Sequence, residues 1–384
     1  MNPTMNAEIA ARDSDLRIAL LLGIANWFLF LDHIPHNAVN SITLRNFGFS
    51  GATDLFVFVG GYAATLIYAR MAMERGYLVA ATRIFKRVWQ LYAAYIVLFV
   101  IYVDLISYTA TRTAAPELFS EFNITGFIDH SLRTLVYGLL LQAKPLNLDV
   151  LQLFIVLMAF LPFGLAGLLR VPNITLAASV ALYAAARLLD WNLPSYPDGR
   201  WYFNPFCWQL LFVMGGWFAL IGKQYTSAIR TMQAMPALRA AALVYLLFAL
   251  AIVASSNIPG LTDLIPGSFT DAFIPTDKEN IAAYRILHFL ALTFLFTLLV
   301  ARDCAYLRSY ALQPIVKCGE EWLAVFCAGV FLSFAAHFVL ITGPNSLAMQ
   351  FVVSIIGIVA MTAVAYYVSW SKQQDYKSAI GAQS

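Results

Sequence analysis

The sequence predicts an all-α integral membrane protein with about ten transmembrane helices, both termini in the cytoplasm, and a re-entrant or interfacial segment at 132–143. Of its 384 residues 61% are hydrophobic and only 12% are charged, where an ordinary soluble domain carries about a quarter. Mean hydropathy is +0.72. Apolar runs long enough to cross a bilayer recur along the chain, bounded by charge clusters or by Pro, Gly and Asn turns. With 24 basic and 21 acidic residues in all, the chain lacks the solvated surface that a soluble enzyme, a nucleic-acid binder or a disordered scaffold needs.

Ten spans follow in order, at roughly 18–39, 54–73, 88–107, 149–169, 173–189, 205–222, 240–256, 281–301, 320–341 and 346–370. Each is close to the roughly 20 apolar residues that a crossing helix requires. The piece at 132–143, between His130 and Lys144, is too short to cross. Leaving it out puts 16 of the 24 basic residues on the cytoplasmic side. Counting it as a span would turn Lys223, Arg230 and Arg239 outward, against the positive-inside rule. Ile18–Leu31 lacks a small-residue cleavage pattern and reads as an uncleaved first helix. Cys207, Cys304, Cys318 and Cys327 lie in or beside apolar runs, none in a segment placed outside the cytoplasm, so no disulfide framework is expected. No fixed-period repeat is visible. We expect one membrane domain over 1–384, its first hairpin at 18–73 carrying the chemistry and 370–384 forming a polar cytoplasmic tail.

An ionisable side chain at hydrocarbon depth costs roughly 2.5 to 3.5 kcal/mol on insertion scales, so each is a functional candidate. Asp32 and His33 stand about fifteen residues past Ile18, hence about 22 Å along a helix. The return helix opens with Gly51-Ala52-Thr53-Asp54, so a hairpin brings Asp54 to the depth of His33. An imidazole held by a carboxylate is what a general base needs to take a proton from a hydroxyl near neutral pH. Asp54, or Asp32, can be that carboxylate. Two other readings stand beside it: His33 and Asp32 as inert interfacial residues in headgroup water, and Asp32, His33 and His36 as metal ligands, with His33 and His36 sharing a helix face.

A second cluster lies in the loop after the second helix and at the start of the third: Arg70, Arg75, Arg83, Lys86 and Arg87, then Trp89, Gln90 and Tyr92. Arg83, Lys86 and Arg87 fall at i, i+3 and i+4 and form one basic face. This is either an ordinary positive-inside anchor or a clamp for a phosphorylated cytoplasmic ligand, since guanidinium forks match phosphate oxygens. No Gly-rich phosphate loop competes with it. Arg45, in the outer connection of the first hairpin, can meet an anionic substrate group or a lipid phosphate. Asp149, Trp208, Gln209, Arg285 and His288 are weaker candidates for acyl or acceptor contact, and His337 is read as a helix-helix hydrogen-bonding residue. The aromatic loop from Trp191 to Trp201 is either an interfacial belt or a sugar-stacking surface.

The first 95 residues resemble the membrane acyltransferase-3 superfamily through His33, Asp54-Leu55-Phe56-Val57-Phe58 with Gly61-Tyr62, and Phe85-Lys86-Arg87. More narrowly, Asp32-His33-Ile34-Pro35, Thr43-Leu44-Arg45-Asn46-Phe47-Gly48-Phe49-Ser50 and Arg87-Val88-Trp89-Gln90-Leu91-Tyr92 are similar to the OpgC family, which transfers succinyl groups to osmoregulated periplasmic glucans. Asn204-Pro205-Phe206, Trp208-Gln209, Arg285 with His288-Phe289-Leu290, and Leu332-Ser333-Phe334 extend that likeness over most of the chain.

The resemblance implies that His33 is the catalytic base and that the basic face around Arg87 handles acyl-CoA. It further implies a multi-pass protein of the bacterial inner membrane whose partners are the lipid bilayer, acyl-CoA as co-substrate and a periplasmic glucan. No tightly bound cofactor, metal or nucleic acid is expected. The rival expectation is a transporter or exporter that uses intramembrane Asp and His residues.

Overall fold

The computed structural model describes residues 15–143, 145–221, 224–258, 260–261, 266–301 and 304–381. The chain ends assigned to the cytoplasm, together with Lys144 and Lys223, lie outside these residues. The described residues are helical, with two isolated backbone bridges and no strand. In chain order the helices are α1 (Leu16–Asp32), α2 (Ala52–Arg75), α3 (Tyr77–Thr113), α4 (Glu117–Glu121), α5 (Gly126–Leu139), α6 (Asp149–Arg170), α7 (Pro172–Leu188) and α8 (Pro205–Ile221). They continue with α9 (Thr226–Ala234), α10 (Pro236–Asn257), α11 (Gly267–Phe273), α12 (Ala283–Leu299), α13 (Gln313–Glu320), α14 (Trp322–Thr342) and α15 (Leu347–Gly381). A helix lies under each expected span. Among the described residues six are long and apolar enough to cross a membrane, namely α2, α3, α6, α10, α14 and α15 as far as Gln374. Large apolar side chains stay exposed on several of them, such as Leu243, Val244 and Leu247 on α10 and Ile355, Ile356 and Val359 on α15. That is the surface a lipid-facing helix presents.

The chain falls into two compact units. One comprises Gly60–Arg230 with Pro275–Ile286. In it α3 packs on α6, and α7 and α6 pack on α8. Gln152 of α6 ties this unit together by donating to Tyr95 Oη at 3.0 Å and to the Ala143 carbonyl at 2.6 Å. The other unit holds the described chain from Asp15 to Val59, Thr231–Ile274 and the described residues from Leu287 onward. Its centre is the contact of α1 with α13. A Cβ on Gly23 would lie 1.9 Å from the Ile315 carbonyl oxygen, and one on Gly319 would lie 1.6 Å from that of Ala19. The two backbones therefore touch at two points, an approach that only glycine permits.

Three expectations change. The first helix ends at Asp32 and not near 39: His33 closes it through its N–H to the Leu29 carbonyl at 3.0 Å. Pro35 has no N–H to continue the ladder, and His36 takes a positive φ of 55°. The chain then passes through 3-10 turns at Ala38–Ile42 and Leu44–Asn46. Between α2 and α3 there is no loop beyond Gly76, whose φ of 93° turns the chain in one residue, so Arg83, Lys86 and Arg87 are helical from the outset. The ninth span is broken at Glu321, where ψ is 29°, leaving α13 as a separate short helix. Its two acids are each paired, Glu320 with Lys317 at 2.8 Å and Glu321 with Lys372. The 132–143 piece is helical as far as Leu139, as the end of α5, a 14-residue helix whose backbone leaves helical geometry at His130. At 1.5 Å per residue its rise of about 21 Å is too short to span.

Candidate active site

The mouth of the first hairpin lies wholly within one unit. Asp15 caps the N-terminal end of α1, accepting from Arg17 N at 3.1 Å and pairing with the Arg17 guanidinium at 2.7 Å. At its C-terminal end the helix delivers Asp32 and then His33, which is partly exposed. Asp32 Oδ1 accepts from the hydroxyl of the buried Thr43 at 2.6 Å and faces Arg45 Nε at 3.3 Å. The Arg45 side chain remains 35% exposed. Its guanidinium is thus neutralised on one edge and open to the mouth over the rest. Asn37 and Ala38 tie the same turn to α15: the Asn37 amide donates to Ser354 Oγ at 2.9 Å, and Ala38 N donates to Gln350 Oε1 at 2.8 Å.

Asp54 is fully buried and accepts the Gly51 N–H at 2.8 Å. It occupies the third position of α2, so its carboxylate satisfies a donor at the helix start that has no partner within the helix and stands at the positive end of the helix dipole. The bland function of Asp54 as a cap is therefore present whatever else it does.

His288 turns out to belong to this hairpin. It is 1% exposed, and its Nδ1 lies 2.7 Å from Ser50 Oγ and accepts from the Ser50 N–H at 3.3 Å. Phe49, itself 1% exposed, plugs a cage made by Phe273 at 5.1 Å, His288 at 5.7 Å, Phe248 at 6.2 Å and Tyr245 at 6.3 Å between ring centroids. The i, i+3 relation proposed for His33 and His36 on one helix face does not occur, because α1 ends before either residue. Among the described residues no three His, Cys, Asp or Glu side chains gather in a metal-binding group. All four cysteines are free.

The remaining candidates lie in the other unit. Arg83 and Lys86 are exposed on α3, and Arg87 donates to Gln90 Oε1 at 2.9 Å. Trp89 is 68% exposed beside Tyr92. Trp208 is buried and donates to the Lys278 carbonyl at 2.9 Å, with the Arg285 guanidinium carbon 6.0 Å from its ring centre. Arg285 is 2% exposed and reaches Thr276 Oγ1 at 3.4 Å. Gln209 joins α8 to α7: its Oε1 accepts from Ser179 Oγ at 2.6 Å and its Nε2 donates to the Ser179 carbonyl at 2.9 Å. Asp149 accepts from Val150 N at 2.9 Å at the start of α6. In the aromatic loop Tyr196 stacks on Tyr137 and Trp201 is buried, which leaves Trp191 as the open tryptophan. Arg200 is held above its usual range by its hydrogen bond and charge pairing with Asp190.

Compared with known families, residues 14–373 match the sequence model described as OpgC protein. The chain belongs to the OpgC family. Neither a curated protein nor a solved structure matches it. The match covers both units of this OpgC chain, and it includes every candidate residue named above.

Residue types alone do not single out Thr43, Gly48 and Ser50 in the OpgC chain. A small hydroxyl or a glycine in a polar connection reads as a turn residue, and the signal that existed was their place in the Thr43–Ser50 string. His288 was legible as a candidate but in another capacity, as an acyl or acceptor contact. The OpgC structure places it under the 43–50 connection, sealed from solvent.

Proposed function

We propose that this OpgC protein transfers an acyl group, succinyl, from cytoplasmic acyl-CoA to a hydroxyl of a periplasmic glucan, with His33 as general base. Membership of the OpgC family implies glucan modification of this kind. What carries the assignment to His33 is its position as the first residue past a 17-residue apolar helix, partly exposed and next in sequence to the Asp32 that pairs with Arg45.

In this reading Arg83, Lys86 and Arg87 bind the phosphates of acyl-CoA on the inner face. The acceptor hydroxyl approaches from outside and attacks the thioester carbonyl while His33 takes its proton. Asp54 orients the ring and stabilises the imidazolium. The tetrahedral oxyanion collapses, the C–S bond breaks, and the departing thiolate takes the proton back from His33. An ester and free CoA result. Arg45 is the donor proposed for the oxyanion or for the succinyl carboxylate, because its guanidinium has five N–H groups and the pairing with Asp32 uses one edge.

The test is mass spectrometry of periplasmic glucans from cells carrying the intact gene, the His33→Ala variant or a deletion. Acyl adducts confined to the intact gene, at the mass of succinate, are the expected result. Adducts that persist at most of their level with His33→Ala would remove the general-base assignment, and identical glucans in all three strains would remove the acceptor.

A further inference from the structure

We propose that His288 is a positioning residue for transfer, acting as a clasp that sets the outer connection of the catalytic hairpin; this rests on the reading of that hairpin as the reaction site. The ring meets the connection at three consecutive residues. Ser50 Oγ is hydrogen-bonded to Nδ1 at 2.7 Å, and the Ser50 N–H meets the same nitrogen at 3.3 Å. Phe49 packs its ring 5.7 Å from the imidazole centre. Gly48 lies so close on the other edge that a Cβ there would stand 2.1 Å from Nε2 and 2.5 Å from Cε1. The imidazole is thus wrapped on both nitrogens by Gly48-Phe49-Ser50.

What these residues connect decides the consequence. The residue after Ser50 is Gly51, whose N–H is held by Asp54. Three residues before Gly48 is Arg45, paired with Asp32, the neighbour of His33. Three residues of extended chain span at most about 11 Å, so the connection has little slack between the Asp32 end and the His288 end. Releasing the clasp frees Arg45 and the start of α2 to shift relative to His33. Reacting groups held for attack tolerate little misplacement: about 1 Å can cost of the order of 100-fold in rate. His288 is 1% exposed beneath the connection, so the role proposed for it acts through Ser50 and Gly48 and not on substrate.

Purified full-length protein in nanodiscs, assayed for succinyl transfer to glucan, tests this with His288→Leu, His288→Asn, Gly48→Ala and the double variant Gly48→Ala/His288→Asn. Asparagine keeps an acceptor near the place of Nδ1 and vacates that of Nε2. His288→Leu and Gly48→Ala should each lower kcat about 10- to 100-fold with KM for succinyl-CoA unchanged, His288→Asn should keep most of the activity, and the double variant should recover to the level of His288→Asn. Gly48→Ala as active as the native protein, or a double variant no better than Gly48→Ala, overturns the clasp. A His288→Leu variant that raises KM and spares kcat overturns it in favour of direct substrate contact. If His288→Leu does not fold, the Gly48→Ala and double variants decide the matter alone. A native protein that makes no ester refutes the transfer reading instead, and the Tm values of the same set then report the clasp, with rescue of the Gly48→Ala loss by His288→Asn as the expected sign.

Discussion

Arg45 Nε lies 3.3 Å from Asp32 Oδ1, so the cation that the sequence offered to an anionic substrate is already shared with the carboxylate next to His33. Replacing Arg45 by Ala removes both the proposed oxyanion donor and the partner of a mostly buried carboxylate. We expect kcat for ester formation to fall about 100-fold, the range for losing one such donor. Arg45→Lys should restore only part of the rate, because an ammonium lacks the planar fork. Arg45→Ala with native turnover would show that the pair serves only to shape the turn.

The two functions of Asp54 are separable. Asn at this position still accepts the Gly51 N–H but carries no charge, whereas Ala does neither. Asp54→Asn should therefore fold with near-native Tm and lose most transfer, and Asp54→Ala should in addition lose about 0.5 to 2 kcal/mol of stability. Thermal unfolding in detergent alongside ester yield distinguishes them. Equal activity of Asp54→Asn and the native chain would leave Asp54 as a helix cap alone.

Charge reversal on the basic face of α3, Arg83→Glu with Lys86→Glu, leaves the hairpin untouched. KM for acyl-CoA should rise several-fold with kcat preserved, and native KM should itself rise with salt, since these side chains are exposed and screened. An unchanged KM would make the face a positive-inside anchor.

Gly319→Ala places a methyl 1.6 Å from the backbone oxygen of Ala19. A carbonyl within a helix cannot move aside as a flexible side chain does, so the contact of α1 with α13 must open. The expected result is loss of at least the 1 to 3 kcal/mol typical of overpacking, read as a lower Tm and poor recovery from membranes. A variant of native stability would mean the helices are further apart than described.

The membrane class and the place of every long helix were legible because apolar length and charge bookkeeping act over twenty residues at a time. Boundaries were not. The end of α1 at Asp32 depends on His33 closing the ladder and on Pro35, and hydropathy, which counted Ile34 and Val39 as span, weighs neither. Gly76 reads as a loop residue in any alphabet of propensities, yet here one positive φ is the whole turn. At the site, Asp32, His33, Arg45 and Asp54 could be named from type and spacing. Their partners could not. Thr43 and Ser50 act through hydroxyl positions that only tertiary contact defines, and His288 reaches the hairpin from 238 residues away in sequence.

The 17 residues of α1 rise about 25 Å, against a hydrocarbon core of about 30 Å. Such a mismatch is relieved by thinning of the surrounding lipid, at fractions of a kcal/mol per Å. On the proposed reading, in which α1 crosses with His33 toward the acceptor side, His33 would sit at the floor of a dimple, several ångströms below the headgroup plane. In that same reading a bulky glucan would lower one hydroxyl into the dimple while its remaining sugars stay hydrated, and the proposed acyl arm from the opposite side would have that much less oil to cross.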